Sequence, residues 1–172
     1  PLSRKRRAAT IFVPLLRAAE REIVVSMAYF IPVGGVLGQL LKAVRRGVRV
    51  IVIVPAQSDV RSVRWASRHI YEKLLRRGIE IHERQDQMLH SKVMVVDGQW
   101  SIIGSCNLDP RSLRVNLEYL GVMHSTKFSA VVRDVCAYEM QHSQQITLDD
   151  CQKRRWWERW RDWLAWTMRR IL

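Results

Sequence analysis

Between Leu89 and Ser112 the chain reads LHSKVMVVDGQWSIIGSCNLDPRS, and four side chains in it have types and spacings suited to joint chemistry. His90 and Lys92 stand two apart, and on an extended strand residues two apart point the same way. Ser105 and Asn107 repeat that spacing beyond the Asp97-Gly98 dipeptide. Gathered near one point, an imidazole, an ammonium, a hydroxyl and a carboxamide supply one nucleophile and several donors, which is what a phosphate diester requires. Asp97 has the opposite parity and lies at a turn. Singly, each residue has a plainer explanation: a lone histidine is usually a surface or hydrogen-bonded group, Asp-Gly a hairpin and Ser-Cys-Asn a turn. His69, His82, His124 and His142 stay in that plainer class, because nothing in the sequence gathers around them.

The elements that must position these groups follow from hydrophobic periodicity. Lys92 to Val96 and Trp100 to Ile103 are short β runs joined through Asp97-Gly98, a strong hairpin signal. Upstream, a helical pattern runs to Glu22 with Ile11, Leu15, Ala18 and Ala19 at helical spacing. Glu22 to Phe30 reads as a buried strand, Gly35 to Arg46 as a helix stopped by Gly47, and Val48 to Pro55 as a continuously apolar strand covered on both faces. Val60 to Arg77 reads as one helix closed by Gly78, with a strand over Ile79 to Arg84. Leu117 to His124 follows as a strand and Lys127 to Gln145 as a helix. The fold class is α/β, a mixed β-sheet sandwiched by helices.

The totals bound the function. A chain of 172 residues, 48% hydrophobic and 26% charged, folds around a core, and its formal charge of +13 calls for an anionic partner: nucleic acid, anionic lipid or a phosphorylated substrate. Cys106, Cys136 and Cys151 are odd in number and lack metal-ligand spacing, which argues against a disulfide framework and a zinc site and fits a reducing compartment. Cys106 reads as a small buried residue beside the site. Residues 23–41 carry no charge and approach the length of a membrane span, but Pro32 with Gly34 and Gly35 breaks the run into a strand and a helix. A basic cluster, RKRR, occupies residues 4–7, and the chain opens at Pro1 without a signal pattern, as a fragment would.

The tail differs in kind. Five of the seven tryptophans fall between Trp156 and Trp166, interleaved with arginine. On a helical wheel Trp156, Trp157, Trp160, Trp163, Leu164, Met168 and Ile171 share one face, with Arg155, Arg159, Asp162, Arg169 and Arg170 largely opposite and Trp166 off the stripe. Such a face usually packs on its own domain. Tryptophan with arginine, however, suits a lipid headgroup interface, and the excess of basic over acidic residues after Lys153 favours an anionic leaflet. The chain accordingly divides into residues 1–148, a catalytic lobe, and 149–172, an amphipathic membrane-interface helix with Trp156, Trp157, Trp160, Trp163, Arg155 and Arg159 as its contact residues.

Together, His90-x-Lys92-x4-Asp97-x6-Gly104-Ser105-x-Asn107 resembles the signature of the phospholipase D superfamily, with Arg111, Ser112, Asn116 and Glu118 continuing the match. The segments YFIPVGGVLGQLLKAVRRGVRVIVIVP and SCNLDPRSLRVNLE are similar to the C-terminal half of bacterial cardiolipin synthases. The resemblance covers the chain to about Gln145 and not the tail. It implies that His90 attacks phosphorus to form a phosphohistidine while a second histidine protonates the leaving alcohol. Lys92, Asn107 and Ser105 would hold the phosphate oxygens without metal or cofactor, and Glu118 would orient a catalytic imidazole in its own or the facing lobe. Asp97 belongs to the same catalytic signature, its parity and turn position favouring a structural part.

The departure from that family is a single motif where the mechanism needs two histidines, so a second lobe is an expected partner, either a missing half or a second copy of the chain. The expected substrate is a phospholipid, at the cytoplasmic face of the inner membrane. Two other functions compete: a short homodimeric phosphodiesterase or endonuclease, and a non-catalytic lipid-binding lobe. Nucleic acid ranks lower, because the tryptophans sit on one amphipathic face instead of alternating through a basic groove. The complete motif argues against a degenerate site.

Overall fold

A computed structural model describes residues 7–169; the cluster at Arg4, Lys5 and Arg6, and Arg170 and Ile171 of the tail, lie outside them. The elements run α1 (Arg7–Ala18), β1 (Glu22–Met27), α2 (Gly35–Arg45), β2 (Arg49–Pro55), α3 (Arg61–His69), α4 (Tyr71–Leu75) and β3 (Ile79–Arg84), then β4 (Lys92–Val96), β5 (Trp100–Gly104), α5 (Pro110–Arg114), β6 (Leu120–His124), α6 (Thr126–Gln141), β7 (Ser143–Ile146), α7 (Leu148–Gln152) and α8 (Trp156–Thr167). The strands form one seven-stranded mixed sheet in the order β6-β5-β4-β1-β2-β3-β7. β1, β2 and β3 are parallel, and the remaining pairings are antiparallel.

The continuous apolar run of β2 is explained by cover on both faces. Val50, Val52 and Val54 join a large core with Phe12 and Leu16 of α1 and Val36, Leu40 and Ala43 of α2. Ile51 and Ile53 face the other way, with Val24 and Val95, onto Val132 and Cys136 of α6. The sheet is thus held between helical layers. On α1 the fully buried residues are Phe12 and Leu16, one residue round from the expected Ile11 and Leu15, which are half-buried; of the other two expected positions Ala18 is exposed and Ala19, just past the helix, is buried.

Several boundaries differ from expectation. The segment from Val60 to Arg77 is two helices broken at Ile70, which caps both. The expected strand from Glu22 to Phe30 ends at Met27, and Phe30 instead makes a lone parallel bridge to Leu108. The expected strand from Leu117 begins only at Leu120. The helix expected through Gln145 ends at Gln141, because Ser143–Ile146 pairs antiparallel with β3 as an edge strand. Its two glutamines face solvent, so the short run carries little apolar signal and Ile146 alone is buried.

The tail forms the expected helix, and its tryptophan stripe lies exposed on the outward side. Asp162, opposite that stripe, is completely buried and Ala165 nearly so, and α8 lies on α3 by that side. Asp162 pairs there with Arg154 and Arg161. Trp166, off the stripe in the wheel, packs inward against the core, its ring 5.6 Å from that of His69. Among the described residues no helix is long and apolar enough to cross a membrane.

Candidate active site

The hairpin registers decide which side chains meet. Met27 at the end of β1 pairs with Lys92 at the start of β4, and the Ala28 N–H continues that ladder to the Ser91 carbonyl at 2.9 Å. By extension His90 falls opposite Tyr29, at the carboxyl edge of the parallel strands, where α/β sheets place their ligand sites. β5 ends at the same edge, Val93 lying opposite Ile103, so Ser105 and Asn107 emerge beside Lys92. β6 starts there too, with Gly104 paired to Leu120. His90, Lys92, Ser105, Asn107 and Glu118 therefore converge on one edge of the sheet.

Each group is held in a particular way. His90 is exposed, and its carbonyl accepts from Lys92 Nζ at 3.0 Å. Burial lowers the Lys92 ammonium from its ordinary value, while the carboxylates of Glu118 and Asp59 pull it back up. Asn107 is nearly buried and its Oδ1 accepts the Tyr29 N–H at 3.2 Å. Only oxygen can accept that bond, so the amide orientation is fixed and its NH2 is left as the donor. Ser105 Oγ donates to Glu118 and accepts the Tyr119 N–H at 3.0 Å. Glu118 also accepts from Asn116 Nδ2 at 3.1 Å. In this lobe the Glu118 carboxylate thus orients Ser105.

Gly104 makes the Ser105 position possible. A Cβ there would stand 2.0 Å from the Tyr119 carbonyl oxygen, so any side chain would push β6 away from β5. Cys106 is buried, with burial first and then Glu118 and Asp109 pushing its thiol up to about 12, which keeps it from acting as a nucleophile. Asp109 caps α5, its carboxylate accepting from Arg111 and Ser112 N–H at 2.8 and 2.9 Å.

Asp97 is not brought to this edge. It closes the opposite end of the hairpin, with φ of 54° at Asp97 and 66° at Gly98, the mirror-image turn that matches strand twist. Its carboxylate accepts from the backbone N–H groups of Glu20 at 2.9 Å, Arg21 at 2.8 Å and Glu22 at 2.9 Å. Five residues of extended chain, about 17 Å, separate it from Lys92.

Two further groups at the edge went unassigned in the sequence. The Tyr29 hydroxyl donates to both carboxylate oxygens of Asp59 at 2.8 Å. Burial and that carboxylate push the Tyr29 phenol up to about 12, so it remains a donor, and the bond in turn lowers Asp59. Their signal was positional: both follow the carboxyl ends of parallel strands. The histidines set aside sit in local contacts, His124 stacked on Trp100 with centroids 4.2 Å apart, His142 Nδ1 2.9 Å from the Tyr138 carbonyl, and His82 3.8 Å from Glu80.

Residues 12–138 match the family model described as cardiolipin synthase, PLD-like domain. Cardiolipin synthase B of Shigella flexneri is 36% identical over 150 residues, covering 85% of this chain and 36% of its own. Cardiolipin synthase A of Serratia proteamaculans is 37% identical over 142 residues, 83% of this chain and 29% of its own. The chain thus spans about a third of the length of these relatives. Among solved structures, phosphatidylserine synthase of Haemophilus influenzae superposes with a TM-score of 0.77 at 13% identity, over 96% of this chain and 44% of that one. Nuc, a phospholipase D family member of Salmonella typhimurium, superposes at 0.70 and 17% identity, over 81% and 91%. At such identities these likenesses speak to the fold.

Proposed function

The chain belongs to the cardiolipin synthase, PLD-like family, and on that footing we propose that it supplies half of a phosphatidyltransferase site, moving a phosphatidyl group between phospholipids through a phosphohistidine. The observation that supports this most is the convergence of His90, Lys92, Ser105 and Asn107 at the sheet edge, with the Asn107 amide turned to donate. His90, neutral, attacks phosphorus; the ester bond to the first alcohol breaks, and a second histidine protonates that alcohol as it leaves. The incoming alcohol then loses its proton to the same second histidine and displaces His90 from phosphorus. Lys92 and Asn107 carry the charge on the non-bridging oxygens throughout, and Ser105 joins them by turning its hydroxyl from Glu118 to the phosphate.

The second histidine comes from a facing lobe, which is either another part of a longer protein or a second copy of this chain. Glu118 faces that partner as well as Ser105, and its neighbours Leu117 and Tyr119 are exposed apolar side chains, a surface for the facing lobe to cover. A cavity of about 670 Å³ beside α5, walled by Ala9, Val13, Val33 and Leu113 with Arg114 at its polar side, suits acyl chains better than a nucleotide. Asp97 has a structural part. The lobe works peripherally at the cytoplasmic face of the inner membrane, to which its three buried free thiols are suited.

The test is lipid product analysis by mass spectrometry after incubating the chain, or its His90→Ala variant, with phosphatidylglycerol vesicles over a range of protein concentrations. Cardiolipin from the wild type alone, with specific activity rising with concentration, is the expected result. No transfer at any concentration, together with cleavage of added DNA, would overturn it in favour of a nucleic-acid phosphodiesterase.

A further inference from the structure

The outward side of α8 is the most unusual surface of the molecule. Asp162 and Ala165 are the buried residues of α8 and lie on the side turned to α3, where Asp162 takes Arg154 and Arg161 and Ala165 meets Val63 and Ala66. Trp65 adds a guanidinium contact, Arg161 lying 4.6 Å above its ring. The opposite side carries Trp156, Trp157, Trp160, Trp163, Leu164 and Met168, all exposed, Trp156 to 79%. A helix that buried its aromatics in the core and turned its acid to solvent would need no explanation. This one does the reverse, and a contiguous row of exposed indoles on a helix already docked by its other side requires cover.

We infer that this row seats the lobe on a bilayer containing anionic lipid. The helix is fixed on the domain by its other side, so the tryptophans form a preset outward row that can enter a headgroup layer. Indole has an apolar body and a polar N–H, which matches that layer. The exposed cations Lys153, Arg155 and Arg159 lie beside the row, and a chain of net charge +13 adds long-range attraction to lipid phosphates. Residues 149–172 then act as the interfacial appendage of a catalytic lobe formed by 1–148. Docking is separate from the chemistry at His90, so either can fail without the other.

Vesicle co-sedimentation tests it, with phosphatidylcholine alone against phosphatidylcholine mixed with phosphatidylglycerol. The chain should bind the mixed vesicles at least tenfold more tightly, and Trp156→Ser/Trp160→Ser/Trp163→Ser should weaken binding more than tenfold with an unchanged melting temperature. Bromine-labelled acyl chains should quench the tryptophan emission of the unsubstituted chain, a measurement that requires no variant to fold. His90→Ala should bind as tightly as the wild type, so lost transfer with retained binding removes only the catalytic reading. Absence of quenching, unchanged binding by the triple variant, or conversion of a dimer to a monomer by that variant would overturn the inference, the last by making the row a protein interface.

Discussion

Replacing Asp97 separates a catalytic from a structural part for this residue. Its carboxylate gathers three backbone N–H groups that no other described acceptor takes up, those of Glu20, Arg21 and Glu22, and so fastens the hairpin to the entry of β1. A hydrogen bond to a charged group contributes about 1.5–3 kcal/mol when shielded. The Glu20 and Arg21 bonds face water and count for about 0.5–1 kcal/mol each, the part-buried Glu22 bond for about 1.5, so Asp97→Ala should cost about 3 kcal/mol. Alanine at φ of 54° adds about 1 kcal/mol of backbone strain. In a chain of this length that lowers the melting temperature by roughly 10 °C. Asp97→Asn keeps one acceptor oxygen and tolerates the left-handed backbone, so about 1–1.5 kcal/mol is expected.

The pH dependence has a definite sign. Burial alone would raise the Asp97 carboxyl, but the amide donors of Glu22, Glu20 and Arg21 outweigh it and hold it below the usual range. A depressed folded value gives stability that is present above the unfolded carboxylate pKa of about 3.9 and lost as pH falls through the lower folded value. Urea unfolding of the wild type and Asp97→Ala should therefore differ fully at neutral pH and converge in acid. Phosphatidyl transfer per folded molecule should change little in Asp97→Asn. A melting point of Asp97→Ala equal to the wild type's, or a folded Asp97→Asn without activity, would refute the reasoning and place Asp97 in the chemistry.

Four further outcomes follow from the same structure. His90→Ala should lower transfer by more than about a thousandfold at unchanged melting temperature, since the exposed imidazole contributes to chemistry and not to packing. Gly104→Ala should cost about 1–3 kcal/mol by driving β6 from β5, with activity lost beyond that as Ser105 and Glu118 separate, checked by unfolding and turnover together. The alkaline limb of the pH–rate profile should fall below the ordinary lysine value, because burial lowers Lys92 and its charge is lost as pH rises through that value; Lys92→Arg should shift the limb upward if the variant turns over. Asp162→Ala should cost about 3–5 kcal/mol by leaving Arg154 and Arg161 without their buried partner. Hydrogen exchange should then quicken in α8 while the central strands stay protected.

How far the sequence reached depended on whether the deciding partner was local. The Asp97-Gly98 turn and the two-faced apolarity of β2 are written within a few residues, and each stands in the fold as its local pattern implies. β7 was missed because four residues with two outward glutamines carry too little pattern to outweigh a preceding helix; only pairing to β3 identifies them. Tyr29 and Asp59 were missed as a pair because thirty residues separate them and the sheet alone brings them together. Parity pointed to a structural part for Asp97, but the amides it holds lie more than seventy residues upstream.

The tail shows why a helical wheel is insufficient by itself. A wheel separates the tryptophan face from the arginine and aspartate face but does not say which of them the domain takes. Here the bed offered by the domain contains half-buried Arg68, 3.8 Å from buried Glu83, and Arg154 and Arg161 of the tail lie against it. The Arg154 guanidinium donates to the Arg68 carbonyl at 3.4 Å, and that of Arg161 lies 4.6 Å over the Trp65 ring. Asp162 is neutralised within the tail by Arg154 and Arg161, so the acidic side of α8 can be buried and the tryptophans are left outward. The outward stripe is in this sense set by the polar side of the helix: the contacts of Ala165, Arg154 and Arg161 with α3 seat that side and hold the indoles ready for a membrane.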